Sequence, residues 1–480
     1  MQHTSSTMEN VKQKMEENTM KQPIASRTES LIVTTAILFL IGSFIIGLQA
    51  PPHIPILLGF MLLIGFSFWK RVSWDVVEKG MREGISPGIP SIFIFILVGV
   101  LISIWMASGT IPTMMVFGFT IVSQKFFLAT VFVVCAIVGT SIGSAFTTAA
   151  TVGLAFIGMG SALGYELPLI AGAIVSGAFF GDKMSPLSDT TNLAPAVSGV
   201  DMFEHIRNML WTTVPAFIIS FVLFIIFGHH TNGDANLHAF QSALEKHTTI
   251  SWATLLPVAL VLVLAIKRVP AIPTLLAGIV SGVVLILVFQ PDTTVQSLVS
   301  IMQDGFKTDT GVKEIDSLLT RGGIQSMMWS VSLILLSLGM GGLLYEFGII
   351  EQLVQAISQF VRTTGRLISS TALTAIGINI LLGEQYLSII LTGRAFGESF
   401  DKLGLQRKNL SRVLEDAGTV VNPLIPWGVS GVFLSGVLGV PAMEYIPFTF
   451  FCLLCPIITM FFGFTGIGIS KAAKQKKEAA

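Results

Sequence analysis

Between Gly181 and Asn192 the chain reads GDKMSPLSDTTN, which gathers Asp182, Lys183, Ser185, Ser188, Asp189, Thr190, Thr191 and Asn192 into one short stretch. Carboxylate, hydroxyl and amide oxygens are hard ligands that suit a small hard cation, whereas soft metals prefer Cys and His. The setting is unusual for such residues. Fifteen uncharged residues, Leu167 to Gly181, run directly into the stretch, and another uncharged segment follows it. A carboxylate placed in hydrocarbon is costly unless it is paired, protonated or bound to a cation. Desolvation also favours the protonated form of a buried carboxylic acid, so a proton and a sodium ion can compete for it near physiological pH.

A second polar constellation lies in the other half of the chain: Thr419, Asn422 and Ser430 surround Pro423 and Pro426. A proline removes a backbone N–H, so Pro186 is expected to release the carbonyl of Asp182, and Pro423 and Pro426 those of Thr419 and Asn422. Two broken helices result, with Pro195 as a further break. The carboxylates expected to bind cation or proton are Asp182, Asp189 and Glu384, with Asp416 next. Supporting oxygens are expected from Thr140, Ser141, Ser144, Ser185, Ser188, Thr190, Thr191, Asn192, Asn379, Thr419 and Asn422. Each acid also has a structural alternative. Asp182 could pair with Lys183 or with an inner-face residue, Asp189 could cap the second half-helix, Glu384 could pair with Arg394, and Asp416, beside Glu415 and near Arg412, reads more readily as an inner-interface charge.

The elements that position these groups follow from hydropathy. The chain is 52% hydrophobic and only 12% charged, with 35 phenylalanines, and its repeated uncharged runs of about 20 residues are long enough to cross a hydrocarbon core. This is the pattern of an all-α polytopic membrane protein. Lys and Arg collect in the N-terminal tail, at 70–84, at Lys267-Arg268, at Arg362 and Arg366, at 402–412 and in the C-terminal tail, which places all of these inside. Spans are then expected at about 31–49, 54–69, 88–108, 209–228, 251–266, 272–289, 324–345 and 447–466, with crossings at 167–200 and 413–440. The stretches 126–165 and 367–400 must each enter and return on the same side, as re-entrant helical hairpins. Non-helical backbone at such depth survives only where protein or a wet cavity satisfies it. The count is about 10 full spans plus two hairpins.

Three short matches recur in order: MREGI at 81–85 with MQDGF at 302–306, GIPS at 88–91 with GIQS at 323–326, and SPLSD…AVSGV at 185–200 with NPLIP…FLSGV at 422–437. Together with the charge assignment they predict two inverted repeats, each holding a hairpin and a broken helix, the arrangement of secondary transporters whose site lies at the midplane. The expected organisation is a cytoplasmic N-terminal tail (1–30), a first repeat (31–230), an external loop (231–250), a second, inverted repeat (251–466) and a cytoplasmic C-terminal tail (467–480).

GAFFGDKMSPLSDTTNLAP, from Gly177 to Pro195, strongly resembles the NhaC-type sodium/proton antiporter family, and the resemblance extends over about 31–466. It implies a bacterial inner-membrane antiporter that expels Na⁺ against entering H⁺ and belongs to the wider ion-transporter superfamily. Elevator-like alternating access is implied by the resemblance alone. The family also includes a malate/lactate exchanger coupled to Na⁺ and H⁺, so malate or lactate is the alternative substrate.

Other classes fit less well. No Gly-x-x-x-x-Gly-Lys-[Ser/Thr] loop is present for an ATP-driven pump. The Gly-x-Gly-Asp pattern of intramembrane aspartyl proteases fails at Phe179, and no Tyr-Asp dipeptide occurs. A passive cation channel would share the oxygen ligands but needs neither hairpins nor a titrating acid. The chain is therefore read as a transporter and not an enzyme, with Na⁺ and H⁺ as cargo and no cofactor. Zero formal net charge argues against a nucleic-acid partner. Cys135, Cys452 and Cys455 read as buried thiols and provide no transition-metal site. His229, His230, His238 and His247 read as a solvated outer loop. Two apolar arms, 111–123 along the outer surface and 349–361 along the inner interface, suit a fixed scaffold or a homodimer contact.

Overall fold

The computed structural model describes residues 23–121, 124–228, 237–308, 316, 319–358 and 362–472. The outer parts of the expected terminal tails, together with His229, His230 and the His238 side chain, lie outside the described residues. The described chain is helical nearly throughout. Among these residues eight helices are long and apolar enough to cross a membrane, or ten if each of two bent pairs counts as one span.

The first half comprises α1 (Arg27–Gly42), α2 (His53–Trp69), α3 (Trp74–Ile85), α4 (Ile89–Ala107), α5 (Thr110–Ile121), α6 (Phe127–Ile142), α7 (Ala145–Ala162), α8 (Leu167–Met184), α9 (Asp189–Ser198) and α10 (Met202–Phe227). After α11 (Leu237–His247) the second half follows with α12 (Trp252–Ile266), α13 (Ala271–Phe289), α14 (Val295–Asp304), α15 (Ile324–Glu346), α16 (Ile349–Ser358), α17 (Thr364–Leu382), α18 (Gln385–Lys402), α19 (Arg407–Leu414), α20 (Val429–Leu438), α21 (Ala442–Tyr445) and α22 (Phe450–Thr465). From α3 to α9 and from α14 to α20 the same kinds of element recur in the same order. Left-handed glycines stand at matching places: Gly109 and Gly348 before α5 and near the start of α16, Gly143 and Gly383 at the hairpin turns, Gly199 and Gly439 after the broken helices.

Both hairpin turns are two residues long and built alike. A glycine with positive φ, which no other residue adopts as cheaply, ends the first arm at Gly143 (φ 73°) and at Gly383 (φ 70°). The next residue caps the second arm: Ser144 Oγ accepts from Thr147 N at 3.2 Å, and Glu384 Oε2 accepts from Leu387 N at 2.8 Å.

The breaks lie at 185–188 and at 425–428, just past Met184 and just past a wide π turn (Glu415–Thr419) and a short 3₁₀ turn (Asn422–Leu424). Across the second break the axes differ by 44°. Pro195 makes no break: it lies inside α9, which continues to Ser198. One missing N–H close to a helix end can be tolerated where packing holds the turn. A break absent from the hydropathy reading bends the last span by 59° near Thr449.

Several loops proved to be helices. The basic segment 70–84 is largely α3, continuous with the following span as Trp74–Ala107, and 402–412 holds the start of α19. The arm α5 is not laid along an outer surface. Its Ile111, Thr113 and Met115 are buried, and it packs so closely on α7 that a Cβ on Gly158 would lie 2.4 Å from the Met115 side chain.

Each half places its broken helix against the other half's hairpin. Helix α9 packs on α18 and α19, while α20 packs on α7, where Phe146 and Phe433 stack at 4.4 Å. Thr190, just past the first break, thereby meets Glu415, ahead of the second.

Candidate functional site

Asp182 occupies the last turn of α8 and is 8% exposed. Its carboxylate faces the Ser188 hydroxyl and the backbone amide of Ala145, the first residue of α7. Helix N-termini present unpaired N–H groups and a partial positive charge, so this is a favourable place for an anion. Glycines make the approach possible. A Cβ on Gly181 would lie 2.5 Å from Gly139 Cα and Thr140 N, and one on Gly143 would lie 2.7 Å from Leu187 Cβ.

Most of the other polar residues at the first break close the backbone that Pro186 interrupts. Thr191 Oγ1 donates to the carbonyls of Asp182 (3.1 Å) and Lys183 (3.0 Å), and Asn192 Nδ2 donates to those of Pro186 (3.1 Å) and Ser188 (2.7 Å). Ser185 N also reaches the Asp182 carbonyl, and Ser185 Oγ accepts from Leu187 N. The Asp182 carbonyl expected to be free is thus occupied, because buried carbonyls find partners within the fold. Asp189 is the first residue of α9, with its side chain exposed; the capping position is taken by Ser188.

At the second break an amide network latches hairpin to half-helix. Asn422 Nδ2 donates to Asn379 Oδ1 (2.9 Å) and to the Gly383 carbonyl (3.3 Å), while Asn422 Oδ1 accepts from Ser430 N (2.8 Å). Asn379 Nδ2 donates to the Gly418 carbonyl at 2.7 Å. The Asn422 carbonyl accepts from Ile425 N at 3.1 Å, so it too is occupied. Glu384, 3% exposed, forms no ion pair with Arg394 and spends one oxygen on its own helix cap. Tyr386, two residues on, lies within electrostatic range of Asp182, Asp189 and Glu384, which brings acids of both halves into one region.

Between the halves runs a chain of buried charges. Lys183 Nζ donates to Asp416 Oδ1, the Thr459 hydroxyl donates to Asp416 Oδ2, and Lys183 also approaches Cys455 Sγ at 3.7 Å. Lys183, Asp416 and Thr459 are fully buried. One reading from sequence changes here, and one alternative falls away. Asp416 is a core residue and not an interface charge, and the partner of Lys183 is Asp416 across the halves, not the adjacent Asp182. Neighbouring side chains on one helix point in different directions, so adjacency in sequence did not predict contact.

Thr140 and Ser141 are not brought to the carboxylates by their side chains. They donate to the carbonyls of Ala136 and Ile137 in their own helix and line a shallow groove with Val133, Phe180 and Phe217. Glu415, by contrast, was overlooked. It is fully buried and accepts from Thr190 Oγ1 at 3.2 Å through Oε1, while Oε2 and the Thr419 hydroxyl face each other without a well-formed hydrogen bond among the described residues. A signal existed: Glu415 and Asp416 stand at the mouth of an uncharged run, as Asp182 and Lys183 stand at the end of one.

The family model described as "Na+/H+ antiporter family" matches residues 177–467, a region that holds α9 and all of the second half. The chain belongs to this family. Among curated relatives, the Na(+)/H(+) antiporter NhaC of Alkalihalophilus pseudofirmus is 45% identical over 444 residues, covering 92% of this chain and 96% of the relative. The protein of the same name from Bacillus subtilis is 43% identical and covers 89% and 95%. A malate-2H(+)/Na(+)-lactate antiporter, also of Bacillus subtilis, is 33% identical and covers 91% and 94%. Asp182, Asp189, Glu384, Glu415 and Asp416 all fall within the stretch that matches the antiporter family.

Proposed function

We propose that this antiporter exchanges cytoplasmic Na⁺ for external H⁺ by competition at membrane-embedded carboxylates. The observation that carries this reading is Asp182. Its carboxylate is buried at a helix break and forms no ion pair among the described residues, so a proton or a bound cation must neutralise it. Ser188 and the α7 N-terminus orient it, while Glu384 and Asp189 add acid groups from the other hairpin and from α9. Asp416 is tied to Lys183 and Thr459, and its part in the site is to hold the two broken helices together. A site that must carry either Na⁺ or H⁺ in order to cross exchanges one for the other.

The repeated element order supports two inverted repeats, with both hairpins re-entrant and both termini on the cytoplasmic side of a bacterial cell membrane. Alternating access then moves the broken helices and hairpins against the remaining spans, with Na⁺ and H⁺ as cargo and no cofactor required.

The reading is tested in proteoliposomes carrying an imposed pH gradient and an internal pH dye. Na⁺ alone should collapse the gradient, and Asp182→Asn and Glu384→Gln should abolish the response. A second reading, Na⁺- and H⁺-coupled exchange of malate or lactate, draws on the 33% identical relative and on helix N-termini that could hold a carboxylate. It becomes the better one if nothing moves until an organic acid is added with Na⁺.

A further inference from the structure

We propose that Glu415 is an exchanging carboxylate of the antiporter, and that with Asp182 it forms a single two-carboxylate cation site bridged by the hydroxyls of Ser188 and Thr190. This rests on the Na⁺/H⁺ reading above and names a further group of that same site.

The geometry begins at the π turn Glu415–Thr419, which widens α19 where it meets α9. π turns are rare, occur mostly as single-turn bulges inside α-helices and are frequent at functional sites. Thr190 Oγ1 reaches Glu415 Oε1 at 3.2 Å and Ser188 Oγ at 3.1 Å, and Ser188 in turn faces Asp182. One hydroxyl chain therefore joins an acid of the first half to an acid of the second. Asp182 and Glu415 are close enough to interact electrostatically, and two such acids repel when both are charged.

The second, independent observation is unfilled bonding capacity. Glu415 Oε2 and Thr419 Oγ1 are fully buried and face each other, yet neither completes a well-formed hydrogen bond among the described residues, although buried carboxylate oxygens are rarely left so. Both belong to the same turn. The other charged or titratable groups that bear on Glu415 are Lys183 and Cys455. Lys183 is engaged by Asp416, whose two oxygens are taken by Lys183 and Thr459, so Asp416 has little capacity left for a cation. Glu415, one residue earlier, has that capacity. A Na⁺ held there by Glu415, Thr419 and Asp182 would displace protons from both acids.

The test uses the purified full-length protein in detergent. Radiolabelled Na⁺ binding and proton release into weakly buffered solution with a pH dye are measured for the intact chain, Glu415→Gln, Asp182→Asn, Thr419→Val and Thr190→Val. Loss of a charged ligand should weaken Na⁺ binding roughly tenfold or more and reduce the protons released per Na⁺ in both carboxylate variants. The hydroxyl variants keep the charge and should weaken binding several-fold. A Glu415→Gln protein that elutes like the intact one, binds Na⁺ with unchanged affinity and releases as many protons overturns the proposal. Should Glu415→Gln fail to fold, unchanged affinity in both Thr419→Val and Thr190→Val overturns it equally. Failure of the intact protein to exchange Na⁺ for H⁺ refutes the antiport reading itself, a separate result.

Discussion

Replacing Lys183 with methionine removes the ammonium from a pair whose members are both fully shielded from solvent. Among the described residues Asp416 would keep the Thr459 hydroxyl as its hydrogen-bond partner, with Arg412 only within electrostatic range, and its charge would remain buried between the two halves. Breaking a buried pair from one side costs about 3–5 kcal/mol, because the surviving charge has lost the interaction that offset its desolvation. Removing both charges avoids that penalty. Lys183→Met/Asp416→Leu should therefore recover at least half of the lost stability, a coupling of roughly 2 kcal/mol in a double-mutant cycle. The three cysteines are free and buried, so a thiol-reactive dye reports unfolding directly, and a denaturant titration supplies the free energies. A single variant that loses less than about 1 kcal/mol would behave like a surface pair, and the account of this cluster would be wrong. The same conclusion follows if the double variant is as unstable as the single one.

Gly181→Ala should impair both stability and Na⁺ binding, since its Cβ would fall 2.5 Å from backbone atoms of α6 that have no rotamer in which to retreat; overpacking of this kind costs about 1–3 kcal/mol. Gly377→Ala is the contrasting case, with nothing within 4 Å of the added carbon in the middle of α17, and should gain about 0.5–1 kcal/mol in the same unfolding assay. Asn422→Ala should uncouple the second hairpin from its half-helix by leaving Asn379 Oδ1 and Ser430 N unpaired, which faster backbone hydrogen exchange at 379–384 and 428–430 would reveal. Ser141→Ala should leave Na⁺-driven collapse of a pH gradient unchanged, because that hydroxyl donates to the Ile137 carbonyl of its own helix and lines an open groove; a marked loss of transport would place it back at the site.

Hydropathy and a handful of special residues determined much of this protein. Uncharged runs were legible as spans because lipid permits no unsatisfied backbone, and the Gly-Ser and Gly-Glu turns at 143–144 and 383–384 were legible as hairpin tips because small and polar residues gather there inside two long apolar stretches whose ends lie on one side. The breaks near Pro186 and Pro423–Pro426 followed from the chemistry of proline. Partnership was another matter. Lys183 and Asp416 are 233 positions apart, as Thr190 and Glu415 are 225 apart, and no periodicity in a single chain encodes which of several buried charges will meet. Pairing depends on how α8, α9, α19 and α22 cross, and that crossing is set by close packing at glycines such as Gly139 and Gly181. The sequence by itself determined that Asp182 and Asp189 would flank a helix break in an apolar stretch, with Thr419 and Asn422 at a second break. Tertiary structure alone decided that Asp416 is neutralised by a lysine from the other half, while its neighbour Glu415 is left with an oxygen to offer.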